Sequence, residues 1–348
     1  MADIKAIKTT DGKLNQYKEI MIRILNKSSK AEFDKQIKDF EDHVNSQVNN
    51  HLNLELNSRK LLGDNHNDID DVPYGNNNVI GPDKEEAKHG THVAGIIVKS
   101  FGKNNNSNTS NIQIMAVRAV PDGDEYDKDI ALAIRYAADN GAKVINTSFG
   151  KEFSPKKEWV FEAIKYAASK DVLIVNAAGN DTYNIDEIPV YPNDADYSNN
   201  VEVSDNFLTV GALNYVYGSE LLAEFSNYGK VHVDVFAPGV KIYATTPNNE
   251  YEFLSGTSMA APSVAGVAAL IRSYYPKLKA AQVKQILMES GVALPAQVVL
   301  GENPNPDQGK RYEVPIWNQD VKLYEDYQVG EVDRSLRRTI SEGEVMLF

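Results

Sequence analysis

From Ile112 onward, short apolar runs alternate with stretches of helical period, a rhythm that admits few architectures. The runs Ile112 to Val120, Ala142 to Phe149 and Val172 to Ala178 are short and nearly continuously apolar, so they read as strands buried on both faces. Between the first two, Ile130, Ala133, Ile134, Ala137 and Ala138 share one stripe of a helix over Asp127 to Asn140, which Gly141 ends. Between the second and third, Ser154 can cap a helix that has Pro155 at its first position and runs through Trp159, Ala163, Ile164 and Ala167. Strand, helix and strand repeated in this way specify an α/β fold with a mostly parallel sheet covered on both faces. Phe207 to Leu213, Val233 to Phe236 and Lys241 to Thr246 add strands or a hairpin. Ala261 to Tyr275 is an apolar helix stopped by Pro276, and Lys279 to Glu289 is a second helical stretch.

The flanks differ. Residues 1–62 are charged and amphipathic, with Ile20, Ile24, Phe33, Ile37, Phe40, Val44 and Val48 at spacings that suggest one or two helices. The stretch GDNHNDIDDVPYGNNN has the Gly, Asn, Asp and Pro density of a loop and marks a boundary. Residues 63–290 then form the core, and 291–348 form a linker and tail, with Asn303-Pro304-Asn305-Pro306 as the linker. A formal charge of -13 disfavours a nucleic-acid partner, which is usually met by a concentrated basic face. No stretch is apolar for long enough to span a bilayer. The absence of cysteine excludes disulfides, thiolate metal sites and a cysteine nucleophile. The opening residues MADIKAIKTTDGK contain no signal peptide.

Three segments carry chemistry. In His89-Gly90-Thr91-His92-Val93-Ala94-Gly95 a histidine stands at a helix entry, where its ring can reach a cleft while the small residues behind it pack closely. Imidazole can take a proton from a hydroxyl at neutral pH and return it to a leaving amine. Alone, such a segment is more often a turn or part of a metal site. In Ser255-Gly256-Thr257-Ser258-Met259-Ala260-Ala261-Pro262, Ser258 sits where unpaired N–H groups and the helix dipole favour negative charge on a carbonyl oxygen. An arbitrary serine there is more often only a helix cap. In Asn176-Ala177-Ala178-Gly179-Asn180, Asn180 follows a strand's carboxyl end, where ligands of open α/β sheets gather, and its amide can donate to an oxyanion. A lone asparagine there usually forms a turn.

Taken together, HGTHVAG, AAGN and SGTSMAAP, in the order His89, Asn180, Ser258, resemble the motifs of the subtilisin-like (subtilase) serine peptidases over roughly Gly75 to Glu289. The resemblance implies a three-layer α/β/α core, with residues 1–62 as a helical insertion into it. It further implies a serine endopeptidase acting on polypeptides, with His89 as general base, Ser258 as nucleophile, and Asn180 plus the Ser258 N–H as oxyanion hole. By the same resemblance Ser148, Phe149 and Gly150 form the edge that pairs with substrate backbone, and Ala177, Ala178 and Gly179 line the primary specificity pocket. It implies no required cofactor, no catalytic metal, and export to the periplasm, cell surface or exterior.

One part of the family pattern is missing. The family expects a buried strand ending in Asp-Ser-Gly or Asp-Thr-Gly upstream of the histidine. Here Asp11-Gly12 follows Lys8-Thr9-Thr10, while Asp64, Asp68, Asp70 and Asp71 lie in a polar loop. None of the five is expected to orient His89, and the chain by itself is expected to be poorly folded, weakly active or inactive. In subtilisin, from which the figure comes, loss of the aspartate alone lowers turnover by about 10⁴ to 10⁵. The alternative is a catalytically dead module that keeps the cleft to bind protein. A metal hydrolase fits less well, because His89 and His92 have no further ligand at an evident spacing. The loop Asp64 to Asp71 offers oxygen ligands for a structural calcium ion, but reads better as a solvated polar loop.

Overall fold

The structure, a computed structural model, describes isolated positions before residue 58 and then residues 58–81, 83–100, 112–120, 125–197, 201–216, 221–294 and 345–347. Asp11, Ile20, Ile24, Phe33, Phe40 and the 303–306 linker fall outside them. The chain divides into two units, Met1–Asp64 and Asn65–Phe348. In the first, the described positions Leu14, Lys18, Ile22, Asp34, Ile37 and Val44 are helical, and Lys30 pairs with Asp34 one turn on at 2.8 Å. Ile37, Val44 and Val48 are exposed.

The second unit opens with α1 (Lys88–Lys99), α2 (Asp127–Asp139), β1 (Val144–Thr147), α3 (Lys157–Ser169) and β2 (Leu173–Ala177). The short strands β3 (Ala195–Asp196) and β4 (Val201–Glu202) follow, then β5 (Phe207–Leu213), β6 (Val235–Pro238) and the hairpin of β7 (Ile242–Thr246) and β8 (Glu250–Leu254). Helices α4 (Thr257–Tyr274) and α5 (Ala280–Ser290) precede β9 (Val292–Leu294) and β10 (Val345–Leu347). The main sheet has the order β1-β2-β5-β6-β10-β9, parallel from β1 to β10 and antiparallel only at β9.

Side-chain alternation along the strands assigns the layers. Leu173, Val175 and Ala177 of β2, with Leu208, Val210 and Ala212 of β5, pack against Ala261, Val264, Ala265 and Ala268 of α4 and Val283 and Leu287 of α5. Ile174 and Phe207 point the other way, onto Ile130 and Ile134 of α2 and Val160 and Ile164 of α3. Burying each such large apolar side chain contributes roughly 1.5 to 3 kcal/mol. The small residues of α4 let it cross the sheet closely, which brings its N-terminus to the strand ends. The result is the three-layer α/β/α arrangement that the sequence predicts.

Two expectations need correction. Ile112 to Val120 carries neither helix nor strand, and Ile114, Met115 and Val117 are 44%, 42% and 38% exposed. An apolar run becomes a buried strand only when it finds a ladder partner, and among the described residues β1 pairs with β2 alone. Ser154 does not cap α3, which begins two residues later than expected. The Ser154 hydroxyl donates to the Asp127 carboxylate at 2.7 Å, and that carboxylate also accepts the Lys156 N–H at 2.8 Å and pairs with Lys151 at 2.7 Å. Serving three donors, Asp127 holds the segment as a turn.

A buried ionic cluster joins α5 to the sheet's far side. The Lys284 ammonium lies 2.9 Å from Glu202 Oε2 and 3.4 Å from Asp234 Oδ1. Buried Asp194 lies in their field, and its Oδ2 has no hydrogen-bond partner among the described residues. Burial pushes the Asp194 carboxyl up to about 8, with Glu202 and Asp234 adding to the rise and Lys284 opposing it. The unfolded carboxyl ionises near 3.8, so the folded state holds an extra proton between about pH 4 and pH 8. That contribution to stability is complete below about pH 4 and is lost as pH rises through about 8. Replacing Asp194 with Asn should therefore give thermal melts whose advantage over the unmodified chain widens from pH 4 to pH 8. A constant difference across that range contradicts the assignment.

Candidate active site

The end of β2 organises the site. Beyond Ala177 the chain turns at Gly179, whose φ of +104° lies where side chains are disfavoured. A Cβ there would also stand 2.3 Å from Asn227 Nδ2. Fully buried Asn227 binds this turn through its whole amide. Its Nδ2 donates to Ala178 O at 2.9 Å, and its Oδ1 accepts the N–H groups of Asp181 and Tyr183 at 2.9 Å each. Sequence reasoning missed Asn227, because nothing in Ser226-Asn227 marks it as more than a turn.

Asn180 is presented by that turn to the start of α4. Its Oδ1 accepts two hydrogen bonds from Thr257, at 2.8 Å from the main-chain N–H and 3.0 Å from the hydroxyl. Thr257 Oγ1 in turn accepts the Gly179 N–H at 3.1 Å. With its oxygen engaged, the Asn180 amide leaves Nδ2 free of partners among the described residues. A Cβ on Gly256 would stand 3.6 Å from Asn180 Nδ2 and 3.6 Å from Ser258 N, so both donors border one space that glycine keeps open. The SGTSMAAP pattern by itself gives Thr257 no role; its role follows from the fold.

Ser258 is the second residue of α4, inside the helix rather than ahead of it. Its hydroxyl donates to Ser148 O at 3.1 Å, and the Ser148 hydroxyl donates to Ser258 O at 3.0 Å. Ser148 and Gly150 continue β1 past its last pair, and Lys151 bridges to Tyr191 through two main-chain bonds of 2.8 Å. A Cβ on Gly150 would meet Tyr191 O at 3.3 Å and Val190 Cγ1 at 3.5 Å, so these segments pack closely there. Phe149 turns its ring away, onto the α2–α3 core. Ala178 backs onto a small cavity lined by Val190, Asn193, Asp194 and His232.

His89 is the second residue of α1, which packs chiefly on α4 and on the hairpin. The contact is close: a Cβ on Gly95 would lie 2.1 Å from Thr245 Oγ1. His92 is fully buried one turn on, with Nε2 3.1 Å from both Ile242 O and Glu252 O. Carbonyls only accept, so Nε2 carries the proton and His92 pins the hairpin to α1. This removes it from any metal pair with His89, and among the described residues no group of three or more His, Cys, Asp or Glu is placed to hold an ion. The acidic loop binds inward: Lys128 Nζ donates to Asn65 O at 3.0 Å and Asp71 O at 2.8 Å, and Asp71 Oδ2 accepts the Asn65 N–H at 2.6 Å.

The structure thus ties Ser258, Ser148, Asn180 and Thr257 together directly and leaves His89 unbonded. Neither ring nitrogen of His89 has a hydrogen-bond partner among the described residues. Although His89 is exposed overall, loss of water around its ring, helped by the nearby His92 imidazole, lowers its pKa from the usual 6.5. The ring is then neutral, and able to accept a proton, across more of the neutral range. A proton NMR titration of the ring should place the His89 midpoint below 6.5; a midpoint above it contradicts this environment.

Comparison with known proteins places this geometry in context. The profile described as "Subtilase family" matches residues 34–320. The chain is similar to the thermophilic serine proteinase of Bacillus sp. (strain AK1), 42% identical over 191 residues that cover 53% of this chain and 42% of that protein. It is 38% identical to the cell wall-associated protease of Bacillus subtilis (strain 168), over 69% of this chain and 25% of that one. With thermitase of Thermoactinomyces vulgaris it shares 39% identity over 53% of this chain and 61% of that one. The solved structure of sphericase aligns with a TM-score of 0.48 and 31% identity over 60% of this chain and 71% of that one. The chain thus spans less than half the length of the first two relatives.

Proposed function

The chain belongs to the subtilase family of peptidases, and from that premise we propose that it is a serine endopeptidase cutting polypeptides at the slot between Ser148–Gly150 and Ala177–Gly179. The observation that supports this most is the bonding of Asn180 to Thr257, which aims a free amide donor at the space beside Ser258. In this reading a substrate lies extended along Ser148–Gly150. The Ser258 hydroxyl leaves its bond to Ser148 O and attacks the scissile carbonyl as its proton passes to His89. The oxyanion that forms meets Asn180 Nδ2 and the Ser258 N–H, donors held ready before charge develops. His89 then returns the proton to the leaving amine, and water hydrolyses the acyl-serine with His89 again as base. Protein groups alone carry this chemistry. Family resemblance, including a relative named as cell wall-associated, supports export. Among the described residues no helix is long and apolar enough to cross a membrane.

The orienting acid is the one member of this machinery without a candidate. His89 needs an acceptor at Nδ1 to fix its tautomer and to stabilise the imidazolium, and Asp68, Asp70 and Asp71 leave both its nitrogens unbonded. We propose that the acid comes from a strand seated on the outer edge of β1, which has no ladder partner among the described residues. The same observation favours a second reading, a subtilase-like module that binds protein without cutting it. A phosphonofluoridate probe, which reacts only with an activated serine, separates the two. In the active protein, with its orienting acid in place, labelling should occur and should vanish in Ser258→Ala; labelling that persists there excludes Ser258 as nucleophile. Asn180→Ala should lower turnover by about 10² to 10³ with little change in substrate affinity, a size known from the equivalent change in subtilisin. Unchanged turnover removes Asn180 from the mechanism.

A further inference from the structure

Pro262 creates a deficit at the nucleophile. In an α-helix the carbonyl of residue 258 accepts the N–H of residue 262, four positions on. That residue is Pro262, which has no N–H, so the Ser258 carbonyl cannot make its regular helical bond. The donor comes from outside the helix: the Ser148 hydroxyl lies 3.0 Å from Ser258 O. A serine hydroxyl has one proton to give and can point it several ways. Here a third residue settles the direction. Asn146 Nδ2 donates to Ser148 Oγ at 2.9 Å, filling a lone pair and leaving the proton for Ser258 O. Ser258 Oγ completes a ring of contacts by donating to Ser148 O at 3.1 Å. Asn146 Oδ1, meanwhile, is buried with no partner among the described residues, so the amide is retained there for its donor end.

We infer that Asn146 and Ser148 are positioning residues for Ser258, forming a relay from Asn146 Nδ2 through Ser148 Oγ to the Ser258 carbonyl. The inference rests on the proposed role of Ser258 as nucleophile. By supplying the bond that Pro262 withholds, the relay fixes the main chain of Ser258. That sets both its hydroxyl and the N–H that shares the oxyanion space with Asn180. Tight placement of a reacting atom is worth orders of magnitude in rate. Ser148 therefore acts in two separable ways: its main chain lies along the substrate edge, and its side chain holds the nucleophile. Asn146 touches neither substrate nor Ser258 and acts only through Ser148.

The test compares the rate of phosphonofluoridate labelling at Ser258 with the binding of an uncleaved peptide, using the full chain. Ser148→Ala should slow labelling by about tenfold to a hundredfold, while peptide affinity stays within about twofold because the main-chain edge is intact. Ser148→Thr, which keeps the hydroxyl, should restore most of the rate. Asn146→Asp is nearly isosteric but reverses the relay, since an ionised carboxylate only accepts and draws the Ser148 proton to itself. Its labelling should fall as far as that of Ser148→Ala and recover relative to the unmodified chain as pH falls and the new carboxyl regains a proton to donate. The double variant should be no slower than either single one, the mark of residues acting in one chain. Labelling of Ser148→Ala at the unmodified rate overturns the inference, as does an Asn146→Asp rate ratio that ignores pH. If the unmodified chain takes no label at all, the peptidase reading fails separately. The relay is then decided by the Met259 amide resonance, which belongs to the peptide whose carbonyl Ser148 holds. A shift of that resonance in both Ser148→Ala and Asn146→Asp supports the relay, and its constancy overturns it.

Discussion

Thr257 joins the start of α4 to the end of β2, and the geometry of the site is referred to that junction. Its N–H and hydroxyl both reach Asn180 Oδ1, and its hydroxyl oxygen receives the Gly179 N–H. Three hydrogen bonds on one small side chain and its own amide leave little freedom between α4 and the turn after β2. Because the Asn180 oxygen is occupied, the direction of its amide is decided before any substrate arrives. That is the sense in which the donors are prepared: no reorganisation is required as negative charge develops. Asn227 supports the same turn from behind, so that the strand end, the turn and the helix start move as one body.

The two sides of the cleft are held differently. On the Ser258 side, a buried apolar core stands behind the polar junction, with Ala260, Ala261 and Val264 of α4 against β2 and β5. On the His89 side, α1 is fixed by the close approach of Gly95 to Thr245 and by the His92 Nε2–H shared between two hairpin carbonyls. His89 itself has no bond to steady it. β1 ends the sheet with one edge unpaired among the described residues.

Much of this architecture is legible in the residues. The stripe from Ile130 to Ala138 and the apolar run around Leu173 to Ala177 formed the elements their patterns specify, because burial rewards the pattern directly. Where prediction failed, a distant residue intervened. Ser154 has the chemistry of a helix cap, yet it is recruited by Asp127, which is 27 positions away in sequence. The resemblance assigns Phe149 to the substrate edge, but its ring belongs to the core between α2 and α3. Ile112 to Val120 has a strand's composition and no neighbour with which to make a ladder.

What the sequence determined by itself was the fold class and the family, and it singled out His89, Asn180 and Ser258 as candidates. Those depend on local pattern and on residue types that few other arrangements require together. The tertiary structure alone decided how these residues are supported. Thr257 orients Asn180, Asn227 braces the turn, and Asn146 with Ser148 answers the carbonyl that Pro262 leaves without its helical donor. Each support is a hydrogen bond between residues 44 to 110 positions apart or a link in such a chain. A one-dimensional pattern records which groups can donate or accept. Only packing of the sheet between its helix layers determines which of them meet.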